Sequence, residues 1–225
     1  MTTAVGNIDV SGGSIPLFVY GVLKIPNACG FVIKTYQIRP IIPGDENELN
    51  NFLQNYVIPS LGNPIFNDRR IAGAESNFWI KKHVNDNPWS SYQIRDSGAN
   101  ALIGIYTISV CLGVMGQPGS LDLTLQLGEV DQKEEIVTRI WRWTVEKLLP
   151  AMMEKGVQVD GKSLEVTRIC TVTCLDDMAN ILEKVGFTLT NRSIYISKKV
   201  NQLLTYEISM EDALKSRNDS SDLEV

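Results

Sequence analysis

The sequence predicts a mixed α/β fold: a mostly antiparallel sheet with helices on both faces, an extra strand pair at the N-terminus, and one main domain. Three observations carry this. Apolar runs of strand length recur along the whole chain, and longer stretches place apolar residues at helical spacing. The two kinds follow one another as strand, one or two helices, three strands, long helix, strand, helix, two strands. That order puts a strand–helix crossover into the second half of a hairpin-linked sheet. The 225 residues suit one substantial domain with extensions, and 44% hydrophobic with 21% charged residues exclude a disordered chain. The expected divisions are a β extension over 1–33, the main domain over 34–210 and a polar tail over 211–225.

In the extension, IPLFVYGVL and CGFVI flank KIPNA, whose Pro26 and Asn27 mark a turn. TYQIRPII, from Thr35 to Ile42, reads as a strand. Pro43 and Asp45 then signal a helix start, followed by Leu49, Phe52, Leu53 and Tyr56 at helical spacing. Ser76 to Val84 reads as a second helix closed by NDNPW. SSYQIRD and ALIGIYTISVCLG flank SGAN as a hairpin, and LDLTLQLG is a third strand. The long helix spans Glu134 to Met153. Ile136, Ile140, Trp143 and Lys147 form one line along it, and Val137, Trp141, Val145 and Leu148 the next, so it is buried over a wide face. SLEVTRICTVTC is a strand, DDMANILEKV a helix capped by Gly186, and FTLTNRSIYISKKV with LLTYEISM a closing strand pair. SRNDSSDLEV reads as a frayed tail.

A formal charge of -5 supplies no basic field for nucleic acid or an anionic membrane. MTTAVGNIDVSGGS lacks the basic and apolar regions of a secretory signal, and no apolar run reaches the length of a spanning helix. The expectation is a cytoplasmic protein. Cys29, Cys111, Cys170 and Cys174 form no CxxC pair and read as reduced core thiols, with no metal site. His83 reads as a solvated helix-end residue, and Trp141 as core packing rather than a base-stacking platform.

YQIRPIIPGDENEL, ALIGIYTISV and ILEKVGF, in this order and spacing, resemble the GCN5-related N-acetyltransferase (GNAT) superfamily over about residues 35 to 209, within it the branch acting on ribosomal-protein N-termini. The resemblance implies a splayed central strand pair that admits acetyl-CoA, whose pyrophosphate rests on backbone amides at the start of the following helix. The family's loop pattern falls on Gln132, Glu135 and Val137, so the glutamine is kept and both small residues are lost. Glu135 adds a carboxylate beside an anion, Val137 adds bulk, and Lys133 offers compensating charge next to Glu134 and Ile136. Counting back from Gly186 places Leu175 and Met178 where relatives carry cofactor-contacting asparagine and serine.

The implied chemistry is direct acetyl transfer to a primary amine, a protein N-terminus or a small molecule. A backbone amide between Leu127 and Val130, around Gly128, would polarise the thioester carbonyl. Glu129 is the candidate base and Tyr195 or Cys174 the candidate proton donor. The rival expectation is a non-catalytic binding or regulatory protein that has lost the cofactor, with the N-terminal strands offering a homodimer contact.

Overall fold

The computed structural model describes residues 8–9, 21–26, 33–57, 69–81, 91–111, 120–155, 157–159, 162–173, 176–194 and 202–220. Tyr195, Cys174, Leu175, Cys29 and His83 lie outside these.

The strands are β1 (Ile8–Asp9), β2 (Gly21–Pro26), β3 (Ile33–Pro40), β4 (Ser91–Asp96), β5 (Ala101–Cys111), β6 (Ser120–Leu127), β7 (Val157–Val159), β8 (Lys162–Leu164), β9 (Arg168–Thr173), β10 (Thr188–Ile194) and β11 (Gln202–Ser209). Eight of them form one sheet in the order β10-β11-β9-β6-β5-β4-β3-β2, and β1, β7 and β8 form a small second sheet. Among the described residues the only parallel neighbours in the large sheet are β6 and β9, as a strand–helix–strand crossover requires.

The helices are α1 (Glu46–Phe52), continued by a π-helical turn Leu53–Val57, α2 (Arg69–Ile80), α3, α4 (Asp176–Lys184) and α5 (Met210–Ser220). Helix α3 runs Lys133–Trp143, through a π-helical turn Thr144–Leu148, into Leu149–Lys155. One core lies between the sheet and α3, α4 and α5, around Tyr92, Tyr106, Ile140 and Trp143. A smaller one lies on the opposite face under α1 and α2, around Leu49, Phe52, Leu53, Ile80 and Ile105. The expected helices on both faces are therefore present.

Four sequence expectations need correction. Of the expected N-terminal pair, IPLFVYGVL falls within the described residues only from Gly21, where strand β2 runs to Pro26 and pairs with β3, Gly21 opposite Ile38 and Pro26 opposite Ile33. Pro26 thus belongs to the strand and not to a turn, which an edge strand tolerates because no further strand needs its N–H. Alternation fixes the register: Leu23 and Ile25 are buried while Val22 and Lys24 are exposed. Gly21 lies against Trp143, whose indole nitrogen would stand 2.5 Å from an added Cβ. The strand is therefore a working part of the main sheet.

Helix α2 begins at Arg69, seven residues before the expected start, and its inward face is Ala72, Ser76 and Ile80, one turn apart each time. The run SLEVTRICTVTC is broken between β8 and β9 over residues 165–167. The polar tail forms a helix as far as Ser220. Its start is an N-terminal Ser209–Asp212 box, in which Ser209 Oγ accepts the Asp212 N–H at 2.9 Å as a cap and its hydroxyl donates to the Asp212 carboxylate at 2.7 Å. Ala213 is fully buried behind it.

The end of α4 forms as expected. Gly186 takes φ +96°, its N–H reaches the Glu183 carbonyl, and the Phe187 N–H reaches the Leu182 carbonyl at 3.0 Å, a Schellman arrangement. Phe187 then packs on Trp141 with ring centroids 4.5 Å apart, so α3 and α4 are joined by aromatic contact.

Candidate functional site

Strand β6 is paired unequally on its two sides. Toward β5 it is zipped along its whole length, from Cys111 opposite Ser120 to Gly104 opposite Leu127. Toward β9 the register holds only at Ser120–Arg168, Leu121–Ile169 and Asp122–Cys170. Beyond Asp122 the two strands part, and a wedge opens between them. Gly104 supports the closed side, since a Cβ there would stand 2.5 Å from Leu127 Cδ2.

The backbone inside the wedge follows from alternation. Gly128 donates its N–H to the Ile103 carbonyl on β5 at 2.9 Å. Residues Gln126 and Thr124 then face β5 in turn, which leaves Leu123, Leu125 and Leu127 with N–H and C=O groups aimed into the gap. This corrects the expectation for Gly128, whose amide is already committed to the sheet. By the same alternation the Leu127 N–H turns away from β5.

At the mouth of the wedge, β6 passes through Gly128–Asp131 into α3. Gln132 takes the left-handed conformation, φ +56° and ψ +38°, and the first helical hydrogen bond runs from Ile136 N–H to the Gln132 carbonyl at 3.1 Å. The N–H groups of Lys133, Glu134 and Glu135 precede that bond and point out of the first turn. The Gln132 side chain, where this chain matches the family's loop pattern, does not face the wedge: its Nε2 donates to the Pro26 carbonyl at 2.8 Å and fastens β2 to the loop. Asp131 is fastened likewise, to Lys34 of β3 at 3.3 Å.

The acidic first turn is neutralised by the protein itself. Glu135 accepts from Arg139 Nε at 2.7 Å, one helical turn on, and Glu134 pairs with Lys184 at the end of α4. Ile136 and Val137 are buried, so the bulk of Val137 is packing and does not project into the mouth. Val130 and Met178 are partly buried against the main core.

Sequence reading missed the residue at the apex. Asp122 sits at the last rung before the strands part, with Ser109 of β5 and Cys170 of β9 as its Cα partners on either side. It is partly buried, no described side chain pairs with its carboxyl, and desolvation pushes its pKa up to about 6. The signal was present in SLDLTLQL, where an aspartate occupies a strand interior that disfavours it. Glu129, by contrast, is exposed and seven residues further along, so the two carboxylates are on the order of 20 Å apart along the strand.

Glu129 lines a different feature, an open groove of about 680 Å³ on the flank of the loop away from β9, beside Lys34, Tyr36 and Asp96. Among the described residues its lining includes nothing from β9 or α4. Among the described residues no cluster of histidine, cysteine and carboxylate side chains is arranged to hold a metal, and no helix is long and apolar enough to cross a membrane.

No known family profile matches the chain, and no curated protein matches its sequence. Solved structures do match its fold. A ribosomal-protein-S5-alanine acetyltransferase from Vibrio fischeri aligns with TM-score 0.53 at 17% identity, covering 79% of this chain and 94% of that one. RimJ from Mycobacterium smegmatis, in complex with CoA-disulfide, aligns with TM-score 0.56 at 13% identity, covering 92% and 95%. A structure assigned as arylalkylamine N-acetyltransferase 7 of the mosquito Aedes aegypti aligns with TM-score 0.65 at 10% identity, covering 89% and 98%. The chain has the GNAT fold.

Proposed function

We propose that this protein transfers an acetyl group from acetyl-CoA to a primary amine by direct transfer in a ternary complex. The observation that carries the reading is the wedge: two parallel strands that part after three rungs, with a helix N-terminus at the mouth and a recessed carboxyl at the apex. The fold neighbours, among them an S5-alanine acetyltransferase and RimJ held with CoA-disulfide, support it.

The residues present fit the cofactor. Outward N–H groups in the first turn of α3 suit a pyrophosphate, because a helix N-terminus favours anions. The exposed backbone edge of Leu123–Leu127 suits an amide-bearing arm laid between strands. Acetyl-CoA supplies the activated acyl group as a thioester. Asp122 takes the proton that the acceptor ammonium must lose before its nitrogen can attack, and with its pKa near 6 it is ionised at neutral pH yet still basic. Leu127, Leu125 or Leu123 offers the N–H that steadies charge on the acyl oxygen. The acceptor reaches Asp122 from the α1 and α2 face, where Thr107, Thr124 and Gln126 line the partly buried floor. A protein N-terminus or small amine is the acceptor class we assign, with a soluble, cytoplasmic setting.

One observation favours a second reading, a non-catalytic protein on the same fold. The first turn of α3 has no glycine and carries Glu134 and Glu135. Calorimetric titration with acetyl-CoA, with desulfo-CoA as control, separates the two. The enzyme reading expects one micromolar-range site. It further expects Asp122→Asn to keep that affinity while losing on the order of 10²-fold or more in amine acetylation at pH 8. In the parent the rate should rise through about pH 6, as Asp122 deprotonates. No detectable heat from a folded protein would leave the non-catalytic reading standing.

A further inference from the structure

We infer that the Glu134–Lys184 ion pair is a latch across the mouth of the wedge, and that Lys184 changes partner from Glu134 to the cofactor's pyrophosphate on binding. The inference rests on the acetyltransferase reading above. Its lysine lies in ILEKVGF, where the family resemblance gave it no cofactor role.

Glu134 is the second residue of α3, in the turn whose N–H groups point outward, and Lys184 is the last residue of α4. Helix α3 follows β6 and α4 follows β9, so their contact joins the two helices carried by the two arms of the wedge. Beside it, the contact of Trp141 on Phe187, just past the end of α4, is apolar. The ion pair differs: its side chains are 60% and 66% exposed. An exposed pair of this kind is weak, so it yields to a stronger anion.

A pyrophosphate is such an anion. Placed at the first turn of α3 it brings new negative charge beside Glu134 and Glu135. Glu135 is held within its own helix by Arg139 and does not reach α4. Glu134 and the phosphate therefore compete for the same ammonium. In a first helical turn without glycine, a lysine delivered from the neighbouring helix restores the attraction that closer backbone approach would have given. Lys184 acts as a binding residue, and Glu134 as the internal anion that keeps it in place when the site is empty.

The test is calorimetric titration of the full chain with CoA and with 3′-dephospho-CoA, using Lys184→Met, Glu134→Gln and the double variant, each shown to keep the parent melting temperature. Lys184→Met should weaken both ligands about tenfold, the loss of one charge-assisted contact. Glu134→Gln should tighten both about threefold by releasing the lysine. In the double variant the gain should vanish. CoA bound by the parent and equally well by Lys184→Met would overturn the latch alone. A lysine effect confined to CoA and missing with dephospho-CoA would place Lys184 on the 3′-phosphate and overturn the pyrophosphate assignment. Heat in Glu134→Gln but none in the parent would support the latch, and no heat in any of the proteins would overturn the acetyltransferase reading with it.

Discussion

Two charged groups lie on the same face of one sheet and meet opposite treatment. Arg95 on β4 is 5% exposed. Its guanidinium donates to both Glu48 oxygens at 2.7 and 3.0 Å, to Gln93 Oε1 at 2.8 Å, and to the side chain and carbonyl of Asn100. Arg95 in return holds the Glu48 carboxyl below the usual carboxylate range, through their hydrogen bond, against a smaller desolvation effect. Asp122, two strands away, has no such partner among the described side chains, and desolvation alone acts on it. A recessed charge with every bond met is architecture: here it pins α1 to β4 and to the β4–β5 turn. A recessed carboxyl left unpaired costs stability, and its place at the parting of two strands is where that cost serves chemistry.

The largest effect that would break this comparison is at Arg95. Arg95→Met removes the donor shared by Gln93, Asn100 and Glu48, leaving Glu48 the Leu102 N–H and Gln93 Oε1 a long contact from Arg39, so the protein should lose about 3 kcal/mol in chemical denaturation. A loss below about 1 kcal/mol would mean that the network is ornamental and that bonding does not distinguish the two sites.

Asp122 should behave in the opposite sense. Its folded pKa is raised, so the folded state resists its ionisation. Stability on this account is full below the ordinary value of 3.8 and is lost as pH rises through about 6. Asp122→Asn should therefore be more stable than the parent at pH 8, on the order of 2 kcal/mol after allowing for the residual exposure of the carboxyl, and equal to it near pH 3.5. Paired melts across that range measure it. A variant less stable than the parent at pH 8 would show that Asp122 has an ionic partner.

How much of this was legible in sequence depends on the range of the forces involved. The end of α4 was readable because Gly186 and Phe187 satisfy the last carbonyls locally, and the wide face of α3 was readable from its period. Helix α5 carried a readable signal too, the Ser209–Asp212 box, obscured by the polar composition after it. Strand β2 was misplaced because Pro26 reads as a turn unless the strand is known to be an edge, which is a property of the sheet order. The wedge was least legible of all. SLDLTLQL shows one strand, and nothing in it says that the neighbour on one side leaves after Asp122 while the neighbour on the other stays to Leu127. For the same reason Gly128 was expected to be a free donor, when β5 had already taken its N–H.

The smallest expected effect sharpens the comparison further, because it concerns a carboxylate with neither fate. Glu129 stands at the end of β6, exposed, on the groove side of the loop. It has no burial to make its charge costly and no arginine network to make it structural. Glu129→Gln should then change acetylation rate and stability by no more than surface substitutions do, about 0.5 kcal/mol or roughly twofold. Turnover measured beside Asp122→Asn decides between the two ends of the strand. If Glu129→Gln lost activity and Asp122→Asn kept it, proton transfer would belong to the mouth of the wedge, and the apex carboxyl would be a cost without a purpose. If Asp122→Asn alone fails, position relative to the strand break decides the base, and proximity to the cofactor loop does not.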